Sequence, residues 1–198
     1  CLVALFCEGH ILLEWVPGLA KTFAVETLSM VLGLEYGRIQ FTPDLLPSDL
    51  TGVEIFIQKT GEFATKKWPV FTNLLLADEI NRAPAKVQSA LLEAMQERKV
   101  TIGDVTYPIG RPFVVIATQN PLEQEGTYPL PEAQLDRFLF KTLIEYPTRG
   151  QEATIMELSA KNVFPHLEKI INQADIQAMI EAFLTIFVDK RIVEYILD

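Results

Sequence analysis

The chain has 198 residues, of which 49% are hydrophobic and 22% charged, and it carries a formal net charge of −9. That is enough apolar material for one generous domain, or one domain and the start of another, and it excludes low-complexity or disordered character. The acidic balance argues against a protein whose main task is gripping nucleic acid, which demands clustered Lys and Arg. Apolar runs such as Cys1 to Cys7 fall well short of the ~20 residues of a membrane span, so a soluble, cytoplasmic protein is expected.

Residues 1–8 resemble the end of a helix. Cys1 and Cys7 are the only cysteines; without CxxC spacing or a nearby His cluster, they read as reduced core thiols. The chain begins on Cys without Met and ends within an apolar helical pattern, so both ends read as cut. His10-Ile11-Leu12-Leu13 then reads as a buried parallel strand over 10–14. His10 at its head, and His166 after Pro165, read as surface or capping imidazoles rather than catalytic ones. The strand feeds Glu14-Trp15-Val16-Pro17-Gly18-Leu19-Ala20-Lys21-Thr22, a tight turn with Lys-Thr opening a helix over 21–32, which Gly33 ends. Ala24, Leu28, Val31 and Leu32 keep the spacing of one helical face.

Strand, loop, Lys-Thr, helix is the layout of a phosphate-binding loop. Backbone N–H groups curl around an anion at a helix N-terminus, Lys21 reaches the outer phosphates, and the Thr22 hydroxyl can touch Mg²⁺. Both glycines of the GxxxxGK[ST] pattern are replaced, by Trp15 and Ala20. Taken alone, the stretch reads equally well as an ordinary strand-to-helix turn with a surface Lys.

Arg38-Ile39-Gln40-Phe41 is the second strand. Residues 42–52 break any regular pattern before a hairpin that runs through Val53, Ile55 and Ile57, turns at Lys59-Thr60-Gly61 and returns through Phe63 to Trp68. Asn73-Leu74-Leu75-Leu76-Ala77 is an apolar run without alternation, the texture of a central parallel strand. Asp78 and Glu79 follow at its carboxyl end, where open α/β sheets place their ligands. In a nucleotide hydrolase the first holds the Mg²⁺ shell and the second orients the attacking water.

Val87, Ala90, Leu91, Ala94 and Met95 form the apolar stripe of the next helix, with Met95 as core filling. A second hairpin turns at Gly103-Asp104. Pro112 to Thr118 is again a buried strand and ends in Gln119-Asn120, whose amides would reach the same site. Arg137 closes a short helical stretch before a strand through Ile144. It reads either as a surface Arg paired with a carboxylate or as an arginine finger acting on a neighbour's nucleotide. From Pro147 the pattern is helical, opened by Thr148 and Gln151 as a capping box. The expected division is an α/β domain over 1–146 and a partial helical lid over 147–198.

Five stretches together resemble the MoxR-type AAA+ ATPases: Val16–Thr22, Arg38–Gly52, Leu74–Pro84, Ala117–Pro121 and Glu125–Phe138. The resemblance implies a P-loop AAA+ core with a parallel five-stranded sheet between helices, two β-hairpin insertions of the clade shared with Mg-chelatase subunits, a helical lid and a ring, usually hexameric. It implies ATP and Mg²⁺ as ligands. The loop Val16, Pro17, Gly18, Leu19, Ala20, Lys21 and Thr22 would hold the phosphates, with Thr22 and Asp78 on the metal. Glu79 would be the water-activating carboxylate of Walker B, Asn120 sensor 1 and Arg137 the arginine finger. Ala20 is usual in that family, whereas Trp15 stands where the family has Gly, and the lid segment with its sensor 2 residue lies past the chain's end. Chaperone-like remodelling of protein partners, often ones with von Willebrand factor A domains, is the implied work. A structural ring subunit with the loop closed by Trp15, and an Mg-chelatase-type subunit, are the rival readings.

Overall fold

The structure is a computed structural model that describes residues 1–15, 21–59, 61–67, 69–120, 126–161 and 167–197, with backbone alone at 15 and 161. A five-stranded parallel sheet organises it. The strands are β1 (Ile11–Trp15), β2 (Tyr36–Gln40), β5 (Leu74–Asp78), β8 (Val114–Gln119) and β9 (Phe140–Ile144), in the order β2-β5-β8-β1-β9. Parallel neighbours need long crossovers, and these supply α2 (Lys21–Leu32) and α4 (Ala85–Glu97). β5 and β8 are buried over nearly their whole length, as the unbroken apolar runs require of central strands.

The two expected hairpins are present as separate two-stranded sheets: β3 (Gly52–Ile57) with β4 (Glu62–Lys67), and β6 (Lys99–Ile102) with β7 (Val105–Pro108). β2 starts and ends earlier than the alternation at 38–41 suggested, because Tyr36 and Gly37 already pair with Leu74 and Leu75. Ser48–Thr51 winds into one short helical turn, α3, inside the stretch read as irregular.

Each sheet face carries its own core. One face packs Leu12, Leu75, Ala77, Val115 and Ala117 against α4, with Val87, Leu91 and Met95 fully inside. The other packs Ile11, Leu13, Leu74, Leu76 and Ile116 against α2 and the short α1 (Leu2–Phe6). Of the expected stripe on α2, Leu32 is buried and Leu28 packs against the core, but Ala24 is exposed and Val25 and Ser29 turn inward instead. Apolar residues are spread round much of the helix, with Phe23 and Met30 exposed on another side, so its sequence period selects a face only loosely. Cys1 and Cys7 are exposed and free, not core thiols.

Beyond β9 come α5's successors in the chain: α6 (Arg149–Lys161), α7 (Gln173–Phe183) and α8 (Lys190–Leu197), α5 itself being the turn Glu132–Leu135. Ile176 and Ile180 of α7 enter the core beside α1 and α2. The helix is opened by a full capping box, Asn172 with Asp175. At Thr148 the Gln151 side chain accepts from both the backbone N–H and the hydroxyl. Among the described residues no helix is long and apolar enough to cross a membrane.

Candidate nucleotide site

Register brings the chemistry together. Gln40 pairs with Asp78, Ala77 with Ala117, and Leu13 with Thr118. Paired residues of parallel strands point to one face, so Gln40, Asp78 and Thr118 form a row across the carboxyl ends of three strands, on the side where α2 begins. Lys21 is the first residue of α2 and closes the row from above.

Asp78 is the centre. Its side chain is 1% exposed. Lys21 Nζ lies 3.1 Å from Oδ1, and Arg38 Nε donates to Oδ2 at 2.9 Å. The Thr118 hydroxyl donates to Oδ1 at 3.2 Å, while accepting from Lys21 Nζ at 3.3 Å and from the Glu79 N–H at 3.0 Å. Burying a carboxylate is costly unless it is paired and hydrogen-bonded, and here two cations and a hydroxyl supply the partners.

Glu79 leaves the strand with φ 57° and ψ 50°, in the left-handed region. Its carboxylate takes a hydrogen bond from Gln40 Nε2 at 3.0 Å and an ion pair with Arg82 Nε at 2.9 Å. Thr22 is half-buried in the same first turn as Lys21, and Asn120 is buried two residues beyond Thr118. Gln119 faces away from this row. With Lys141 it holds Glu14 Oε1, at 2.7 and 2.8 Å, and the Lys141 bond keeps that carboxyl below its ordinary range, helped by Gln119.

Arg137 lies elsewhere. It is exposed, with Nε on Gln96 Oε1 at 3.1 Å and Nη1 on the Ala133 carbonyl at 2.9 Å. Among the described residues no carboxylate pairs with it, so the ordinary surface ion pair is not what it makes here. Val16, Pro17, Gly18, Leu19 and Ala20 lie outside the described residues, as does the side chain of Trp15.

Arg38 and Thr118 are among the residues of the site that escaped sequence reasoning, as are Gln40 and Arg82 beside Glu79. Arg38 sat inside a strand and Thr118 one position before the amides; only the register places them on Asp78. His10 also differs from its reading. It is 6% exposed, its Nδ1 accepts from the Val115 N–H at 3.0 Å, and its Nε2 reaches the Met95 carbonyl at 3.4 Å. The acceptor role of Nδ1 puts the ring proton on Nε2. Burial lowers its pKa to about 4.

Beside Lys21, a cavity of about 300 Å³ opens between α2 and the β1–β9 edge, lined by Leu13, Val25, Leu28, Phe140, Thr142 and Ile144 among others. The site thus offers a cation and a helix N-terminus for anions, two acids for a metal and for water, and an apolar cleft alongside. Thr22 and Asp78 are hard oxygen donors of the kind Mg²⁺ takes, and the cation already held at Asp78 Oδ1 shows that positive charge fits there. Among the described residues no cluster of three or more His, Cys, Asp or Glu could hold a metal. Mg²⁺ is normally bound by one or two protein oxygens plus phosphate, which this arrangement matches.

Comparison with known proteins agrees. Residues 10–140 match the ATPase family associated with various cellular activities (AAA). Chaperone MoxR1 of Mycobacterium tuberculosis is 53% identical over 195 residues, 98% of this chain and 52% of that protein. Protein YeaC of Bacillus subtilis is 50% identical over 198 residues, 100% of this chain and 62% of that protein. Protein MoxR of Paracoccus denitrificans is 32% identical over 156 residues, 76% of this chain and 45% of that protein. A crystal structure of a candidate ATPase from Cytophaga hutchinsonii superposes with a TM-score of 0.90 at 52% identity, covering 99% of this chain and 60% of that one. The chain therefore spans 52% and 62% of the lengths of MoxR1 and YeaC. The parallel five-stranded sheet is the one the resemblance implied, and with the AAA match running from the head of β1 into β9 the chain belongs to the MoxR-type AAA+ ATPases.

Proposed function

We propose that the chain binds ATP with Mg²⁺ and hydrolyses it, as the motor part of a ring that remodels or activates protein partners in the cytoplasm. The observation that carries the reading is the Lys21–Asp78–Thr118 cluster with Glu79 beside it at the carboxyl ends of β5 and β8. A P-loop hydrolase needs the Lys, the Asp and a water-orienting group at this place.

In this structure Lys21 neutralises Asp78. On nucleotide arrival its ammonium turns to the β- and γ-phosphates, for which the N-terminus of α2 supplies further positive potential. Thr22 and Asp78 would hold Mg²⁺, which would neutralise charge on the phosphates. Glu79 takes a proton from the attacking water, and Asn120 orients that water. The apolar cleft beside Lys21 suits a flat base. Arg137 acts across a subunit interface, which an exposed guanidinium bound only to neutral acceptors is free to do.

The division into 1–146 and 147–198, a homo-hexameric ring, and partners with von Willebrand factor A domains belong to the same proposal through the family. The intact set at Lys21, Asp78, Glu79 and Asn120 favours a working hydrolase over a structural subunit with a closed loop. Glu79→Gln tests the reading. It should bind ATP as the parent does in titration calorimetry and lose phosphate release; unchanged turnover would remove Glu79 from its role.

A further inference from the structure

The Thr118 hydroxyl is saturated. Its one proton goes to Asp78 Oδ1, and its two lone pairs take the Glu79 N–H and Lys21 Nζ. The side chain is 1% exposed, so water does not replace these partners.

The bond to Glu79 differs from the others in what it restrains. A residue with a Cβ at φ 57°, ψ 50° is strained and must be fixed by its surroundings. Two backbone contacts fix it. Arg82 N–H donates to the Glu79 carbonyl at 2.8 Å, and Thr118 accepts from the Glu79 N–H at 3.0 Å. With the backbone turned this way, the carboxylate leaves the line of β5 and meets Gln40 and Arg82.

We infer that Thr118 is a positioning residue for hydrolysis: its hydroxyl pins the left-handed backbone of Glu79 beside Asp78 and so sets the direction from which the Glu79 carboxylate meets water. The inference rests on the proposed role of Glu79 as the water-activating base.

The geometry separates affinity from turnover. The contact with Lys21 is the longest of the three at 3.3 Å, and it is surrendered when phosphate claims the ammonium. Loss of the hydroxyl therefore takes nothing from Lys21 in the bound state. Glu79, in contrast, must hold its direction while the water is attacking, and small misplacements of a catalytic group are costly.

Thr118→Val keeps the shape and deletes the hydroxyl, and Thr118→Ser keeps the hydroxyl. In the intact protein, ATP affinity by titration calorimetry and steady-state turnover are compared. The Val variant should bind ATP within about threefold of the parent and lose about tenfold or more in kcat, and the Ser variant should recover most of that loss. If the Val variant does not fold, Thr118→Ala carries the same comparison. Unchanged kcat in the Val variant, an affinity loss as large as the kcat loss, or a Ser variant as impaired as Val would each overturn the inference. Glu79→Gln runs alongside. If that variant turns over normally, the role of Glu79 fails; if it is inactive while Thr118→Val is fully active, only the role of Thr118 fails.

Discussion

His10 makes the stability of the sheet depend on pH in a window where few other groups titrate. The ring sits between β8 and α4, packed edge-on against Phe113 with centroids 5.8 Å apart, and its Nδ1 must stay unprotonated to accept from Val115. Burial lowers its pKa from 6.5 to about 4. Above pH 6.5 the ring is neutral in both folded and unfolded chains and contributes no pH dependence. As pH falls below 6.5 the unfolded chain takes up the proton first, so stability falls until the folded ring also protonates near pH 4. Between pH 7 and 5 the loss is about 2 kcal/mol, and over the whole window about 3 kcal/mol. Urea unfolding at pH 7, 6 and 5 measures it, with His10→Asn as the reference because its Oδ1 stands near the position of Nδ1. The variant should lose most of that slope whatever its absolute stability. Equal slopes in the two proteins would show that His10 is protonated in the native state and that the inferred tautomer is wrong.

Arg137→Ala should leave nucleotide affinity unchanged and lower turnover about a thousandfold. Adding Glu79→Gln subunits, inactive themselves but carrying Arg137, should restore part of the activity; no restoration on mixing would refute action across an interface. Gly52 has φ +115°, and a Cβ there would lie 2.4 Å from the Lys66 carbonyl oxygen. Backbone cannot yield as a flexible side chain does, so Gly52→Ala should cost about 3 kcal/mol in urea unfolding; a cost under about 1 kcal/mol would mean the hairpin junction relaxes freely.

What the sequence disclosed followed the strength of its local signals. The run from Asn73 to Glu79 could hardly be anything but a central parallel strand with acids at its end, because burial on both faces removes the alternation that marks other strands. The hairpins were legible from alternation and from Gly103-Asp104. The inward face of α2 was legible only in part: Leu28 and Leu32 pack inward, but with them go Val25 and the polar Ser29, which an apolar stripe does not select. His10 meets partners 85 and 105 residues away, a relation that no local window contains. Thr118 and Arg38 belong to the site only through strand register, while the cap at Asn172 and Asp175 did carry a local signal, overlooked beside the stronger helical pattern that follows it.

Asp78 has a charge role beside the metal role proposed for it. It is the carboxylate that Lys21 and Arg38 share, at 3.1 and 2.9 Å. Phosphate must therefore compete with Asp78 for Lys21, and only with Mg²⁺ present does the carboxylate receive a cation in exchange. Asp78→Asn removes the competitor at nearly constant shape. Breaking a buried pair usually costs several kcal/mol because the remaining charge is stranded, but Lys21 and Arg38 are 20% and 47% exposed and keep water. The variant should accordingly bind ADP in excess EDTA about tenfold more tightly than the parent, about 1.4 kcal/mol, gain nothing on addition of Mg²⁺, and lose turnover. Titration calorimetry with and without Mg²⁺ decides it. Weaker metal-free binding in Asp78→Asn would mean that the carboxylate holds Lys21 ready for phosphate rather than holding it back.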